Sequence, residues 1–408
     1  MLIAYRILLK FIFIISPIIF LYRFLKKKET LNSFKEKIGI KNFKRKGKLI
    51  WFHGASVGEI KSIIPLIEKF EKISDIKQIL ITSNTLSSLN ILKQIKIKKV
   101  THQFFPIDTY NLCENFLEHW KPSKVFFVDS EIWPNMFYSL KKRNIPIKLI
   151  NGRITKKSFN RWKTFPLFSK KIFSMIDLCL ASSIESKEYL KKLGVKKIKF
   201  FGNLKFTQTK NEKNEKNENL ENILKSKKIW CASSTHESEE IFCAKVHLSL
   251  KKKFKNLLTI IIPRHVERSM TIKKELENFN LKVHLDLPFA RIKENTDIFL
   301  VNSYGKTNIF FKKIKNIFLG GSLVNRGGQN PIEAAINGCN VFYGPNISNF
   351  AEIYKFLNKK TIAYQIKSID ELTKKLSSVL NSKTNQAKNN RLSLLGKKIL
   401  KKTFNEIK

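Results

Sequence analysis

The chain is 408 residues long, 43% hydrophobic, and carries 78 Lys and Arg against 32 Asp and Glu, a formal net charge of +46. That length supplies two globular domains of ordinary size. The five cysteines (Cys113, Cys179, Cys231, Cys243, Cys339) are scattered without a C-x-x-C pair, which argues against a disulfide scaffold or zinc module and fits a reducing compartment. The lysines run through every segment and no zinc-finger or RRM signature accompanies them, so the charge points to compositional bias and an anionic membrane surface, not to a specific nucleic acid.

The first element is apolar. Residues 2–25 are interrupted by Arg6, Lys10, Pro17 and Arg23. The charge-free run 11–22 is shorter than the ~20 residues of a spanning helix. Arg6, Lys10 and Arg23 can snorkel to the headgroups, so a tilted span and an interfacial helix both stay open. No small-residue cleavage site follows. The basic cluster RFLKKK at 23–28 predicts that the bulk of the chain stays cytoplasmic. Residues 1–28 therefore read as a single membrane anchor.

Residues 48–53 (KLIWFH) read as a buried strand. In residues 59–70, Ile60, Ile63, Ile64, Ile67 and Phe70 share one helical face. The turn between them is HGASVGE. Ser56 and Glu59 have the S-x-x-E spacing of a capping box, a purely structural role. The alternative makes Glu59 a catalytic base at the mouth of a cleft.

Further strand-like runs occupy 78–81, 100–105, 124–128, 145–150, 178–181 and 198–201, most separated by helical patterns. That alternation is the signature of βαβ units and a parallel sheet. The tract 209–222 (TKNEKNEKNENLEN) has almost no apolar residue and reads as a linker. Strands then resume at 228–232, 257–262, 297–301, 317–319 and 341–343, and lysine-rich helices close the chain from about residue 370. The expected organisation is an N-terminal Rossmann-like domain over 29–208 and a C-terminal one over 223–408. The last helices are candidates to pack back on the first domain.

Ligands in open α/β sheets sit outside the carboxyl ends of the strands, and those ends are polar here. Asp129, Ser130 and Glu131 precede Trp133; Asn151, Gly152 and Arg153 follow another strand; Lys205 follows GNL. In the second half come SSTHE (233–237), Pro263-Arg264-His265, residues 302–306 with Tyr304, Gly305 and Lys306, and GGS (320–322) leading into NRGGQNPIEAA. Gly320, Gly321, Gly327 and Gly328 let backbone approach a ligand. Asn330 suits an N-cap and Pro331 the first helical position, so the N–H groups beyond them suit a phosphate. Glu333 either closes an N-x-x-E cap or accepts hydrogen bonds from ribose hydroxyls. His53, His236 and His265 follow strands, and Glu237, Glu239 and Glu240 trail His236, but no spacing matches a zinc motif.

HGASVGE, DSEIWPN, NGRITKKS, GNLKF, ASSTHESEE, PRHVER, GGSLVNRGGQNPIEAA and GPNISNF occur in this order. Together they resemble the 3-deoxy-D-manno-octulosonate (Kdo) transferases of lipid A and lipopolysaccharide biosynthesis, and the resemblance extends from the N-terminal anchor to about Tyr354. It implies a GT-B fold, with two Rossmann-like domains facing across a cleft. It also implies CMP-Kdo as donor, lipid IVA as acceptor, inverting transfer, no metal or cofactor, and work on the cytoplasmic face of the inner membrane. Residue by residue, it makes Glu59 the general base. It assigns Lys205 and the acidic pair Asp129 and Glu131 to transition-state stabilisation, without saying which acid serves. Pro263, Arg264, His265, Tyr304, Gly305, Lys306, Asn330, Pro331, Ile332 and Glu333 match CMP-binding segments.

Three stretches depart from the family pattern. The usual E-T-E is Asp129-Ser130-Glu131, D-T-x-G-E-L is NSYGKT from Asn302, and G-G-H-N is GGQN, where Gln329 can donate a hydrogen bond but cannot carry charge. Arg153 and Arg326 are candidates to meet the Kdo carboxylate. Two rival readings are another GT-B sugar-nucleotide transferase and a non-catalytic, basic, membrane-binding protein on the same scaffold.

Overall fold

The computed structural model describes residues 2–40, 43–95, 97–207, 223, 226–286, 293–381 and 387–408; the linker expected at 209–222 lies outside the described residues. The chain divides into two compact units, Met1–Thr209 with Leu395–Lys408, and Lys210–Leu394.

The first unit holds α1 (Leu2–Leu25), α2 (Leu31–Lys37), β1 (Leu49–His53), α3 (Val57–Glu71), β2 (Gln78–Ser83), α4 (Leu86–Lys93), β3 (Val100–Phe104) and α5 (Tyr110–Trp120). It continues through β4 (Lys124–Val128), α6 (Pro134–Lys142), β5 (Ile147–Gly152), α7 (Lys156–Lys163), α8 (Pro166–Phe173), β6 (Leu178–Ala181), α9 (Ile184–Leu193) and β7 (Ile198–Phe200). Its seven-stranded sheet runs β3-β2-β1-β4-β5-β6-β7, every pair parallel. The strand order reverses between β1 and β4, which makes their carboxyl ends the switch point.

A parallel sheet is covered on both faces, so its strands read as continuous apolar runs. All five residues of β1 are buried. Trp51 packs against Phe105, Phe116 and Phe127 on one side. Phe52 stacks on Phe126 and meets Phe70 of α3 on the other.

The second unit contains β8 (Lys228–Thr235), α10 (Glu239–Lys251), β9 (Leu257–Pro263), α11 (Ser269–Glu277), β10 (Val283–Leu285), β11 (Ile298–Leu300) and α12 (Thr307–Lys313). Then come β12 (Asn316–Leu319), α13 (Ile332–Ile336), β13 (Asn340–Tyr343), α14 (Ala351–Lys359), β14 (Ala363–Gln365) and α15 (Ile369–Asn381). Its parallel sheet runs β10-β11-β9-β8-β12-β13-β14, with the reversal between β8 and β12. The three-residue edge strands β10 and β14 escape the sequence reading because neither carries an apolar run long enough to register.

The last helix, α16 (Ala387–Ile407), sends its final turns into the first unit. Phe404 meets Phe70 edge-on at 5.1 Å, and Lys199 pairs with Glu406 at 2.7 Å. Gly202 has φ +114°, and a Cβ there would fall 2.6 Å from the Ile399 side chain, so this seat requires glycine.

Candidate active site

At the first switch point, the apolar run of β1 ends on His53 and the chain turns sharply into α3. Ser56 caps α3, with its Oγ accepting from Glu59 N at 3.4 Å. The reciprocal half differs from an ordinary capping box. Glu59 Oε2 accepts from Ala55 N at 2.7 Å, one residue earlier than the cap, and Oε1 accepts from Ser56 Oγ at 2.8 Å. Both oxygens are thus fixed while the side chain stays half-buried. Burial pushes the Glu59 carboxyl up to about 7, helped by the charges of Asp129 and Glu131; the bonds from Ser56 and Ala55 pull the other way.

The acidic pair splits into two arrangements. Asp129 and Asn151 both sit at φ +53°, a region that Asp and Asn tolerate better than most side chains. Asp129 Oδ1 accepts from Asn151 Nδ2, and Oδ2 accepts from Lys205 Nζ at 2.8 Å. This ion pair is buried, with side-chain exposures of 11% for Lys205 and 7% for Asp129. Lys205 rides on a short 3-10 turn, Leu204–Thr207. Leu204 N donates to Asn151 Oδ1 at 2.8 Å, and Lys205 N donates to Asn203 Oδ1 at 2.9 Å. From behind, Gly396 of α16 lies so close that a Cβ would meet the Phe206 carbonyl oxygen.

Glu131 is held differently. Its Oε2 accepts from Trp133 Nε1 at 2.9 Å and pairs with His53 Nε2 at 3.1 Å. His53 is fully buried, stacks on Phe105, and has its Nδ1 2.9 Å from Thr82 Oγ1. Thr82 Oγ1 also accepts from Trp51 Nε1 at 2.8 Å. With that proton on the Thr82 oxygen, the Thr82 hydroxyl can donate to Nδ1, leaving Nε2–H to donate to Glu131. Glu59, Asp129 and Glu131 thus follow the neighbouring strands β1 and β4, and Lys205 reaches Asp129 from the turn after β7. Asn151 holds Asp129 and the Lys205 turn, and His53 and Trp133 hold Glu131; sequence reasoning gave none of these three a role. For His53 and Asn151 the signal was a polar residue closing an apolar strand; Trp133 offered only its place in DSEIWPN.

At the second switch point the acid is consumed by backbone. Buried Glu239, at the start of α10, accepts from His236 N (2.9 Å) and Gly321 N (2.6 Å) through Oε2, and from Ser322 N (3.1 Å) and Leu323 N (2.9 Å) through Oε1. It fastens the glycine loop after β12 to the turn after β8. A Cβ on Gly321, at φ +64°, would lie 3.1 Å from the His236 ring and 3.3 Å from the Gln329 amide. The His236 and His265 rings are 5.6 Å apart. Burial holds the His236 imidazole below its ordinary value, and the charges of His265, Arg326 and Arg264 act in the same direction. Arg264, His265 and Arg326 are exposed.

Of the other residues singled out in this unit, Pro263 ends β9. Tyr304 Oη donates to Glu267 Oε2 at 3.0 Å, and Gly305 sits at φ +87° with open space around it. Lys306 turns to Asp286 at 2.7 Å. Asn330 Oδ1 accepts from Ile332 N at 3.1 Å, so that donor is already taken, and the helix beyond it is five residues long, with Glu333 in its first turn. Among the described residues, no group of three or more His, Cys, Asp or Glu is arranged to hold a metal, and all five cysteines are buried and unpaired.

Two parallel sheets of this order, each with polar loops at its switch point, define a protein of the GT-B class, the architecture of one large group of glycosyltransferases. The crystal structure of UDP-GlcNAc 2-epimerase from Neisseria meningitidis bound to UDP-GlcNAc shares the fold, with a TM-score of 0.57 at 15% identity, covering 87% of this chain and 100% of that one. Residues 32–208 match the family model described as 3-deoxy-D-manno-octulosonic-acid transferase (kdotransferase). The 3-deoxy-D-manno-octulosonic acid transferase of Rickettsia typhi is 32% identical over 82% of this chain and 72% of its own length. That of Rickettsia bellii is 31% identical over 90% of this chain and 89% of its own. The chain belongs to the Kdo transferase family and is a glycosyltransferase.

Proposed function

We propose that the protein transfers Kdo from CMP-Kdo to the glucosamine disaccharide of lipid IVA by a direct, inverting displacement, with Glu59 as general base. Glu59 takes the proton of the acceptor's primary hydroxyl. The freed oxygen pair attacks the anomeric carbon of Kdo, and the bond to the CMP phosphate breaks with its electrons leaving on CMP. A single base without a nucleophilic carboxylate partner suits this route, by analogy with inverting glycosidases. Lys205, with Asp129 and Glu131, stabilises the charge that develops. In the second unit Pro263, Arg264, His265, Tyr304, Gly305, Lys306 and the 330–333 segment hold CMP, and Arg153 or Arg326 meets the Kdo carboxylate.

The observation that carries the reading is Glu59 itself, a carboxylate fixed at both oxygens whose acidity is set near 7. A base works best when its pKa lies near the working pH. The apolar helix α1 and the basic residues after it support work at the inner membrane from the cytoplasmic face, close to a lipid acceptor. The test is product formation by the full-length protein from CMP-Kdo and lipid IVA, beside Glu59→Ala. Wild-type product from the variant would remove Glu59 from the base role. Turnover with a UDP-sugar but none with CMP-Kdo would overturn the donor.

A further inference from the structure

α1 is 24 residues long and apolar enough to cross a bilayer by length and composition. It contacts the rest of the first unit near both of its ends. Near its start, Tyr5 Oη donates to Asp108 Oδ2 at 2.8 Å. Arg6 Nε donates to Asn135 Oδ1 at 2.9 Å, with its guanidinium over the rings of Tyr110 and Tyr138 at 4.4 and 4.9 Å. Near its end, Phe20 meets Phe34 edge-on at 4.7 Å, and Arg23 pairs with Glu29 at 2.9 Å. Leu9 and buried Ser16 fall between them on the same side, at the spacing of successive helical turns.

The polarity of the helix is inverted for a water-facing element. Tyr5, Arg6, Ser16 and Arg23 face protein. The opposite line, including Ile3, Ile14 and Leu25, is 73%, 72% and 73% exposed. Lys10, seven residues after Ile3 and four before Ile14, is exposed on the same side, where its long stem lets the ammonium reach back to the headgroups. The apolar surface continues past both ends, at Leu31 (60% exposed) beside Phe34, and at Leu167 (83% exposed) beside Phe168, which meets Tyr5 at 6.1 Å. Exposed Lys163, Lys170 and Lys171 surround Leu167.

We propose that α1 lies in the plane of the membrane, with its apolar face sunk into one leaflet of anionic lipid, and does not cross the bilayer. Arg6 and Arg23 are about 26 Å apart along the helix, close to the ~30 Å thickness of the hydrocarbon core. Standing the helix upright would carry the partners of Tyr5 and Arg6 across that distance. Asn135 is fully buried in the first unit and Asp108 is 2% exposed, so they cannot follow. Lying flat keeps every contact and gives the apolar line a solvent that matches it.

The inference rests on the membrane reading given under Proposed function, and its test separates the two. Cysteines placed singly at Ile3, Ile14 and Leu25 in the full chain are labelled with an environment-sensitive fluorophore, the five native cysteines being buried. The protein is bound to vesicles of phosphatidylethanolamine and phosphatidylglycerol, and lipids with shallow or deep nitroxides quench the label. The expected result is one shallow-to-deep quenching ratio at all three positions. A deep Ile14 flanked by shallow Ile3 and Leu25, each about 16 Å away along the axis, would overturn the flat helix and leave membrane binding intact. A protein that binds no vesicles would overturn both.

Discussion

The two switch points use acidic residues in opposite ways. In the first unit, Glu59, Asp129 and Glu131 crowd together, and only Asp129 has a lysine to itself. Burial, reinforced by that surplus negative charge, makes Glu59 reluctant to ionise. In the second unit, Glu239 is saturated by four backbone N–H groups, and two arginines, Arg264 and Arg326, are left exposed on the loops of the same sheet end. In the function proposed above, one sheet end accepts a proton and the other meets an anion. The same topology supports both because the loops, not the strands, carry the charge.

The largest test of this contrast is Glu59→Gln. It keeps a side chain able to accept from Ala55 N and removes the proposed base. Turnover in the Kdo-transfer assay should fall by about 10²–10⁴-fold, and an unchanged kcat would place the base elsewhere. Next is Lys205→Ala, which strands the Asp129 carboxylate in a buried site. The expected loss is about 3–5 kcal/mol of stability in denaturant unfolding, largely recovered when Asp129→Asn is added. Glu239→Ala removes the acceptor from four N–H groups. The loop can relax or admit water, so the expected loss is about 1–3 kcal/mol, with the donor KM rising more than kcat falls.

The smallest effect concerns pH. If Glu59 is the base proposed above, catalysis needs it ionised, so kcat should rise through pH 7. Glu131→Gln removes a neighbouring negative charge and eases that ionisation, so the normalised rising limb should move to lower pH. A limb that stays in place would deny the coupling. Stability follows with the opposite sense. The carboxyl is raised in the folded state from its ordinary 4.5, so its contribution is fully present below 4.5 and is lost as pH rises through 7. Measured by unfolding, Glu59→Gln should therefore gain on wild type between pH 5 and 8.

The turn from β1 into α3 was legible because an apolar strand, a capping spacing and a helical stripe follow one another without interruption. What stayed hidden depends on residues far apart in the chain. Asp129 and Asn151 each look like a surface turn until β4 and β5 are paired, when both enter the left-handed region and face each other. Glu239 appeared in the sequence only as an acid trailing a histidine. Its role needs β8 beside β12. Whether α1 spans or lies flat was undecided by composition, because its inward residues declare themselves only through partners at 108, 110, 135 and 138.

The packing of Ile399, Phe404 and Glu406 onto the first unit sets an order of events during synthesis. When the ribosome has made the first 209 residues, the groove at Gly202 and the edge of Phe70 lack their partners, and so does the back of the turn bearing Lys205. At about 5–20 residues per second, the missing segment emerges roughly ten to forty seconds later, after the whole second unit. Lys205 is therefore among the last parts of the molecule to be secured, and a ribosome that stalls before residue 395 leaves a chain with every strand of both sheets made and the turn bearing Lys205 unbraced.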